Sequence, residues 1–361
     1  MALQFTPPAD PVFTPDDEIA AINADPGFGE HFCDHMAIAH WNPDQGWHDA
    51  ALVPYGPLPL SAGGAVYHYA QEIFEGLKAY RHADGSIWCF RPEANAARFA
   101  SSATRMALPP LPVEDFVEGV RALVELDARW VPGGDEQSLY LRPFMIADEE
   151  YIGVRATRQA TFAVIGTPVG VYFKGGVAPV DIWVCTDAGR VAPGGTGMAK
   201  CGGNYAASLL SQEIAHQHGC SQVLFTDAAT HTWIEELGGM NFVCITAAGE
   251  LVTPSLNGDI LAGITRDSIL KAAPRVGLTP VERPLSLEEV RTGITSGAIT
   301  EIFACGTAAA IAPIGALLDE SGEWRLPSAS AGPKTLALRE FLLDVQYGRR
   351  PDDFGWTQRI C

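Results

Sequence analysis

The chain has 361 residues, 47% hydrophobic and 19% charged, a globular balance with room for two domains that excludes wholesale disorder. A formal net charge of −19 argues against a nucleic-acid partner, whose phosphates need a basic face. No apolar run approaches the ~20 residues of a membrane span, and the N-terminus MALQFTPPADPVFTPDDE has neither the basic region nor the apolar core of a signal peptide.

The first ~30 residues, rich in Pro and Asp, read as an arm laid over a domain surface or partly disordered. HFCDHMAIAH (31–40) looks ligand-like, but its spacing fits no zinc pattern; it reads as polar surface, and no metal is expected. PVEDFVEGVRALVELDARW (112–130) predicts a helix with Phe116, Val120, Leu123 and Val124 on one face. SLYLRPFMIA (138–147) and TFAVIGTPVG (161–170) predict strands. PVGVYFKGGVAPV (168–180), with three glycines and two prolines, predicts a linker or an active-site loop near mid-chain.

Beyond it, DIWVCT predicts a strand, and NYAASLLSQEIAHQHG a helix ending at Gly219. QVLFTDAATHTWIEE and NFVCITAAGELVTP predict hairpins. TRDSILKAAPRVG predicts a helix from Thr265, and ITEIFACGTAAAIAP a strand running into a small-residue turn. Strand pairs and helices mix without βαβ alternation, so the expected class is α+β with the pocket between two domains. The expected boundaries are a smaller N-terminal domain with its arm (1–170), an interdomain loop (171–181) and a larger C-terminal domain carrying Lys200 (182–361).

Lysine is scarce: only five of the 24 basic residues are Lys. Lys200 lies among small residues in GGTGMAKCGGNY, a surrounding that admits a flat ligand closely and suits a lysine held for carbonyl chemistry. Glu235 and Glu236 precede a glycine turn in an apolar hairpin, where burial requires a cation. LAGITRDSIL (261–270) leads a glycine into a helix N-terminus, which suits phosphate. ACGTAAAIAP (304–313) adds Thr307 and a turn that backbone can approach. Lysine, acid and phosphate site together suggest pyridoxal phosphate.

The segments AKCGGNYAASL, EELGGMNF, LAGITRDS and GTAAAIAP closely resemble the branched-chain amino-acid aminotransferases of the fold-type-IV pyridoxal-phosphate enzymes. So do HYAQEIFEGLKAYR (68–81), RPEANAARFASSATRM (91–106), SLYLRPFMIADEEYIGV (138–154) and PVGVYFKGG (168–176). The resemblance covers roughly residues 60–320. It implies a two-domain fold with the pyridoxal 5′-phosphate site between the domains, and transamination of L-Leu, L-Ile and L-Val with 2-oxoglutarate in amino-acid biosynthesis. A homodimer is implied as well, while the cytoplasm is expected from eight scattered cysteines without CxxC pairs.

Residue by residue, Lys200 corresponds to the Schiff-base lysine, and Tyr205 to the partner of the cofactor's phenolic oxygen. The E-x-G-x-M-N pattern selects Glu236 over Glu235 for the ring nitrogen. Arg98, the Ile264 and Thr265 amides and the Thr307 hydroxyl correspond to phosphate ligands. Tyr69, Phe74, Tyr140 and Tyr172 match aromatic walls of the substrate pocket. Arg142 lies two residues beyond Tyr140, hence on the same strand face, and is a candidate for a carboxylate. Ala308 and Ala309 match the turn that receives the α-carboxylate. The chain departs from some relatives at Gly239, where they carry Thr, and at Ala309 and Ala312, where others carry a redox CxxC. Cys201 and Cys305 are expected as small buried residues. Within the same fold type, a D-amino-acid aminotransferase or an aminodeoxychorismate lyase would lack the FEGLKAYR and LYLRP combination.

Overall fold

The computed structural model describes residues 2–173 and 176–361; Lys174 and Gly175, inside the expected interdomain loop, lie outside the described residues. In chain order its elements are α1 (Asp16–Ala24), β1 (His35–Asn42), β2 (Gly46–Pro54), α2 (Ala65–Tyr69), β3 (Glu72–Phe74), β4 (Leu77–Arg81) and β5 (Ile87–Phe90). Then come α3 (Pro92–Arg105), α4 (Val113–Leu126), β6 (Ser138–Ala147), β7 (Ala160–Val169), β8 (Val180–Cys185), α5 (Gly202–Ala206), α6 (Leu209–Gln217), β9 (Gln222–Thr226), β10 (Ile234–Leu237) and β11 (Asn241–Thr246). The last are β12 (Glu250–Thr253), α7 (Ile264–Ala272), β13 (Thr279–Glu282), α8 (Leu287–Ser296), β14 (Ile299–Gly306), β15 (Ala310–Asp319), β16 (Gly322–Arg325), α9 (Pro333–Gln346) and β17 (Thr357–Arg359).

Two compact units emerge. The first comprises the residues up to Val171 together with Ala199–Gly202 and Asp344–Cys361; the second comprises Tyr172–Met198 and Gly203–Leu343. The chain thus leaves the second unit at Met198, gives a four-residue segment holding Lys200 to the first, and re-enters at Gly203. The sequence reading had Lys200 with the C-terminal half throughout.

In the first unit, β17-β5-β4-β6-β7-β1-β2 form one sheet, with β3 also paired to β6. The register of β6 on β7 is unbroken from Ser138↔Val169 to Ala147↔Ala160. The apolar stripe of α4 does what its spacing predicts: Phe116, Val120, Leu123 and Val124 are fully buried. Phe99, Phe116 and Phe162 pack ring against ring, with centroids 5.2 to 6.0 Å apart. The N-terminal arm is laid on this core through Phe5, buried at 6% exposure, and through the Leu3 N–H donated to Asp115 at 2.6 Å.

The HFCDHMAIAH segment departs from its expectation. It is not polar surface: it leads into β1, with Cys33, His35, Met36, Ala37 and Ala39 buried. The buried Asp127 carboxylate accounts for the polar residue there, meeting His35 Nδ1 at 2.7 Å and accepting the His35 N–H at 2.8 Å. Among the described residues no cluster of His, Cys, Asp and Glu is arranged to hold a metal.

In the second unit the strands run β10-β9-β8-β15-β14-β11-β12-β13, with β16 on β15. A further pairing joins β10 to β11, so six of these strands close into a ring. Ile182, Leu224, Phe242, Ile302 and Leu317 are buried in the core of this unit. The helix predicted over 204–219 is broken into α5 and α6. Ser208 turns its hydroxyl back to the Tyr205 carbonyl at 2.7 Å, a local bond that competes with helix continuation. Gly219 follows α6 at φ +74°, the left-handed conformation expected of it.

Candidate active site

Lys200 is half-buried, and its backbone is fixed on both sides. Its N–H donates to Ser102 Oγ of α3 at 3.0 Å, and its carbonyl accepts the Phe74 N–H of β3 at 3.0 Å. Two residues on, the Gly202 N–H donates to the Glu72 carboxylate. A side chain at 202 would overlap that carboxylate, which explains the first glycine after Lys200. Lys200 Nζ stands 4.7 Å from the centroid of the Phe74 ring.

The same ring receives Arg142, whose Cζ lies 4.8 Å from the centroid. Arg142 Nη2 donates to the Tyr140 hydroxyl at 3.1 Å, while its Nε is buried without a hydrogen-bond partner. Tyr140 is buried at 7% and leaves no room for a side chain at Gly76. Phe74, Tyr140, Arg142 and Lys200 are therefore brought together. Tyr69 ends α2, 42% exposed, with its hydroxyl bonded to the Ile152 carbonyl.

Arg98, on α3, is held by a fully buried acid. Nε and Nη2 meet the two oxygens of Glu75 at 2.7 and 2.8 Å, a bidentate pair completed by Asn95 Nδ2 at 2.8 Å. The guanidinium is thus oriented by the structure itself.

In the second unit, Glu236 sits where β10 closes onto β11, opposite Asn241. It is 4% exposed, and its charge is met by equally buried Arg190 at 2.6 Å. Oε1 also accepts the Leu261 N–H at 3.0 Å, and Oε2 accepts from Asn241 Nδ2 at 2.9 Å. Asn241 donates to the Leu261 carbonyl too, at 3.0 Å. This ties the carboxylate to the segment entering α7, where Ile264 and Thr265 form the first turn. Gly263 precedes that turn without a side-chain cap, and a Cβ there would overlap Asn241 Oδ1. Behind it, buried Arg266 anchors α7 to the Pro254 carbonyl at 2.8 Å and to Glu282 at 2.6 Å.

Asn241 also pairs with Cys305, so β14 delivers Gly306 and Thr307 beside the same strand. Thr307, Ala308 and Ala309 form the turn into β15, closed by Ala310 at φ +58°. Cys305 is buried and its thiol pushed up to about 12 by that burial, consistent with a packing role. Tyr205, on α5, has its ring 3.8 Å from the position a Cβ would take at Gly239. Tyr172 is 45% exposed and packs edge-on against Phe173.

Glu235 proves as buried as its neighbour, at 2% exposure, with Oε2 unpartnered. Burial, with Asp259 adding to it, pushes its carboxyl up to about 7. The sequence reading missed Arg190, Glu75 and Glu72, each of which positions a predicted residue. A lone Arg before PGGTG, and acids spaced through QEIFEG, were the available signals.

The amino-transferase class IV family model matches residues 72–317. This chain belongs to the class IV aminotransferases. It is 50% identical over 360 residues to a probable branched-chain-amino-acid aminotransferase of Streptomyces coelicolor, covering 99% of both chains. It is 49% identical over 340 residues to the branched-chain-amino-acid aminotransferase of Mycobacterium tuberculosis, covering 93% of this chain and 92% of that one. A branched-chain amino acid aminotransferase from T.th., solved with pyridoxamine 5′-phosphate, aligns at TM-score 0.75 and 25% identity, over 90% of this chain and 99% of that one. The same enzyme with N-(5′-phosphopyridoxyl)-L-glutamate gives TM-score 0.74 at 25% identity and the same coverage. The α+β fold is that of these class IV aminotransferases.

The residues present fit the cofactor that class uses. A buried, ion-paired carboxylate suits a protonated ring nitrogen. A helix start whose preceding glycine supplies no cap suits a phosphate. The half-buried lysine is fixed through its backbone N–H and carbonyl.

Proposed function

We infer that this class IV aminotransferase uses pyridoxal 5′-phosphate to transfer the amino group of L-leucine, L-isoleucine and L-valine to 2-oxoglutarate. The observation that carries the reading is the near-full-length likeness to enzymes of that name, at about half identity. Lys200 holds the cofactor and serves as general base, taking the substrate's Cα proton. The cofactor, when bound, supplies the sink for the electron pair that proton leaves behind. Glu236 keeps the proton on the ring nitrogen, and Tyr205 donates to the phenolic oxygen. Arg98, the Ile264 and Thr265 amides and Thr307 hold the phosphate. The amides of Ala308 and Ala309 receive the α-carboxylate, Phe74, Tyr140, Tyr69 and Tyr172 wall the side-chain pocket, and Arg142 meets the distal carboxylate of glutamate.

The domain division we propose keeps 171–181 as the interdomain loop. A homodimer is supported by the exposed Tyr67, Tyr151, Ile152 and Val154, apolar surface that a monomer would leave in water; sedimentation at monomer mass would count against it. The cytoplasm is supported by seven buried free thiols. Among the described residues no helix is long and apolar enough to cross a membrane.

The test is a donor panel with 2-oxoglutarate. L-Leu, L-Ile and L-Val should outpace L-Ala and L-Asp, since each methylene buried in the aromatic pocket contributes about 0.8 kcal/mol. Preference for D-Ala would sink the L-branched-chain reading. Borohydride treatment should fix the cofactor on a peptide containing Lys200; an adduct on Lys271 would displace the site.

A further inference from the structure

One pocket that must accept both leucine and glutamate faces an electrostatic conflict. Arg142 suits the distal carboxylate of glutamate. With leucine in place, however, it is a half-buried cation facing an aliphatic chain, a costly arrangement unless a resident anion is near.

Glu72 stands in the right place to be that anion. On β3, Glu72 and Phe74 share one face, and the register sets them opposite Ile146 and Phe144 of β6. Arg142 lies on the same face of β6, two residues before Phe144, with its guanidinium over Phe74. The Glu72 carboxylate is half-buried and takes the Gly202 N–H, so it also touches the Lys200 segment. The cation that acts on it is Arg142 from β6, and the Lys200 amine stands at the ring of Phe74, two residues on along β3. From α3, Arg98 is engaged by Glu75, and Arg105 is exposed in the last turn. Burial raises the Glu72 carboxyl from its ordinary range, against the lowering pull of the Gly202 N–H and Arg142.

We propose that Glu72 is a specificity-determining residue. It is the counter-ion of Arg142 while a branched aliphatic side chain fills the pocket, and it yields that role, taking one proton from solvent, when a dicarboxylate binds. The charge balance closes in both states. With an aliphatic substrate, Arg142 faces ionised Glu72. With 2-oxoglutarate, Arg142 faces the substrate's distal carboxylate and Glu72 is the neutral acid. The inference rests on the branched-chain reading above and deepens it.

The consequence is a pH dependence confined to one substrate class. Binding the dicarboxylate takes up a proton that binding the aliphatic acid does not, so its advantage falls as pH rises above the Glu72 pKa, by at most about tenfold per unit. The test compares single-turnover kcat/KM for 2-oxoglutarate and 4-methyl-2-oxopentanoate on the aminated holoenzyme, from about pH 6 to about pH 8.5. The two oxo acids share every group except the side chain, so common titrations cancel in their ratio. In the wild type the ratio should fall with pH. In Glu72→Gln, which keeps an acceptor for the Gly202 N–H but loses the charge, the ratio should rise several-fold at the alkaline end and become flat. Glu72→Leu, which loses the acceptor as well, should show the same flat ratio whatever it does to absolute rates, with thermal melting reporting its fold. A flat ratio in the wild type, or a slope that survives in Glu72→Gln, overturns the proposal. A wild type that turns over neither oxo acid overturns the branched-chain reading instead.

Discussion

Two adjacent glutamates show how much chemistry a single position can change. Glu236 is buried in an ion pair with Arg190, whereas Glu235, equally buried, has an unpartnered oxygen and a carboxyl pushed up to about 7. Glu236→Gln should keep the cofactor but lower turnover about 100-fold or more, the scale of a lost proton-holding group. Glu235→Gln should leave turnover near wild type and act on stability instead. The folded-state pKa is raised, so the native protein holds the extra proton. Stability therefore falls as pH rises from the unfolded value near 4.3 to about 7, and the full cost persists above that. The variant escapes this cost: it should match wild type near pH 4.5 and exceed it at pH 8 by on the order of 2–3 kcal/mol, read from thermal or denaturant melts. Reversed phenotypes would mean that the hairpin register is off by one residue. A pair of acids before a glycine turn was legible in the sequence. Which of them is met by a cation was not, because that depends on Arg190, brought in from before the PGGTG loop.

At the scale of elements, the start of α7 is locked to Glu236 through Asn241, and Gly263 is what lets the two meet. Gly263→Ala must push Asn241 aside. Losing about one charge-assisted hydrogen bond at the phosphate end should weaken pyridoxal phosphate retention about tenfold, measured by absorbance after dialysis. Unchanged retention would remove this helix start from the phosphate site. Elements with a strong local signal were legible: α4 from its apolar stripe, β6 and β7 from their composition, and the start of α7 to within one residue. The elements that diverged answer to partners distant in sequence. His35 reads as surface until Asp127 is beneath it, and the predicted helix over 204–219 breaks where Ser208 bonds back to Tyr205. The motif wording located the Lys200 segment but not its neighbours, since its backbone is held by Ser102, Phe74 and Glu72 from the other half of the chain.

For the whole molecule, the ring of strands in the second unit has a consequence for how the protein keeps its cofactor. The ring closes at Glu236↔Asn241, with the Leu237 N–H donated to the Met240 carbonyl at 2.8 Å beside it, over a turn containing Gly238 and Gly239. A seam this short is the natural place for a barrel to breathe. The acid proposed for the ring nitrogen and the asparagine that ties it to the segment entering α7 are the two halves of that seam. A ligand held by both acts as a clasp, and every opening of the seam must first release it. Adding cofactor to the apoprotein should raise the melting temperature with the logarithm of its concentration, and should slow amide exchange over 234–241 more than in the first-unit sheet. Equal protection everywhere would mean that the clasp lies elsewhere. If the seam behaves this way, catalytic competence and mechanical closure are one event, and a chain that loses its cofactor also loosens its barrel.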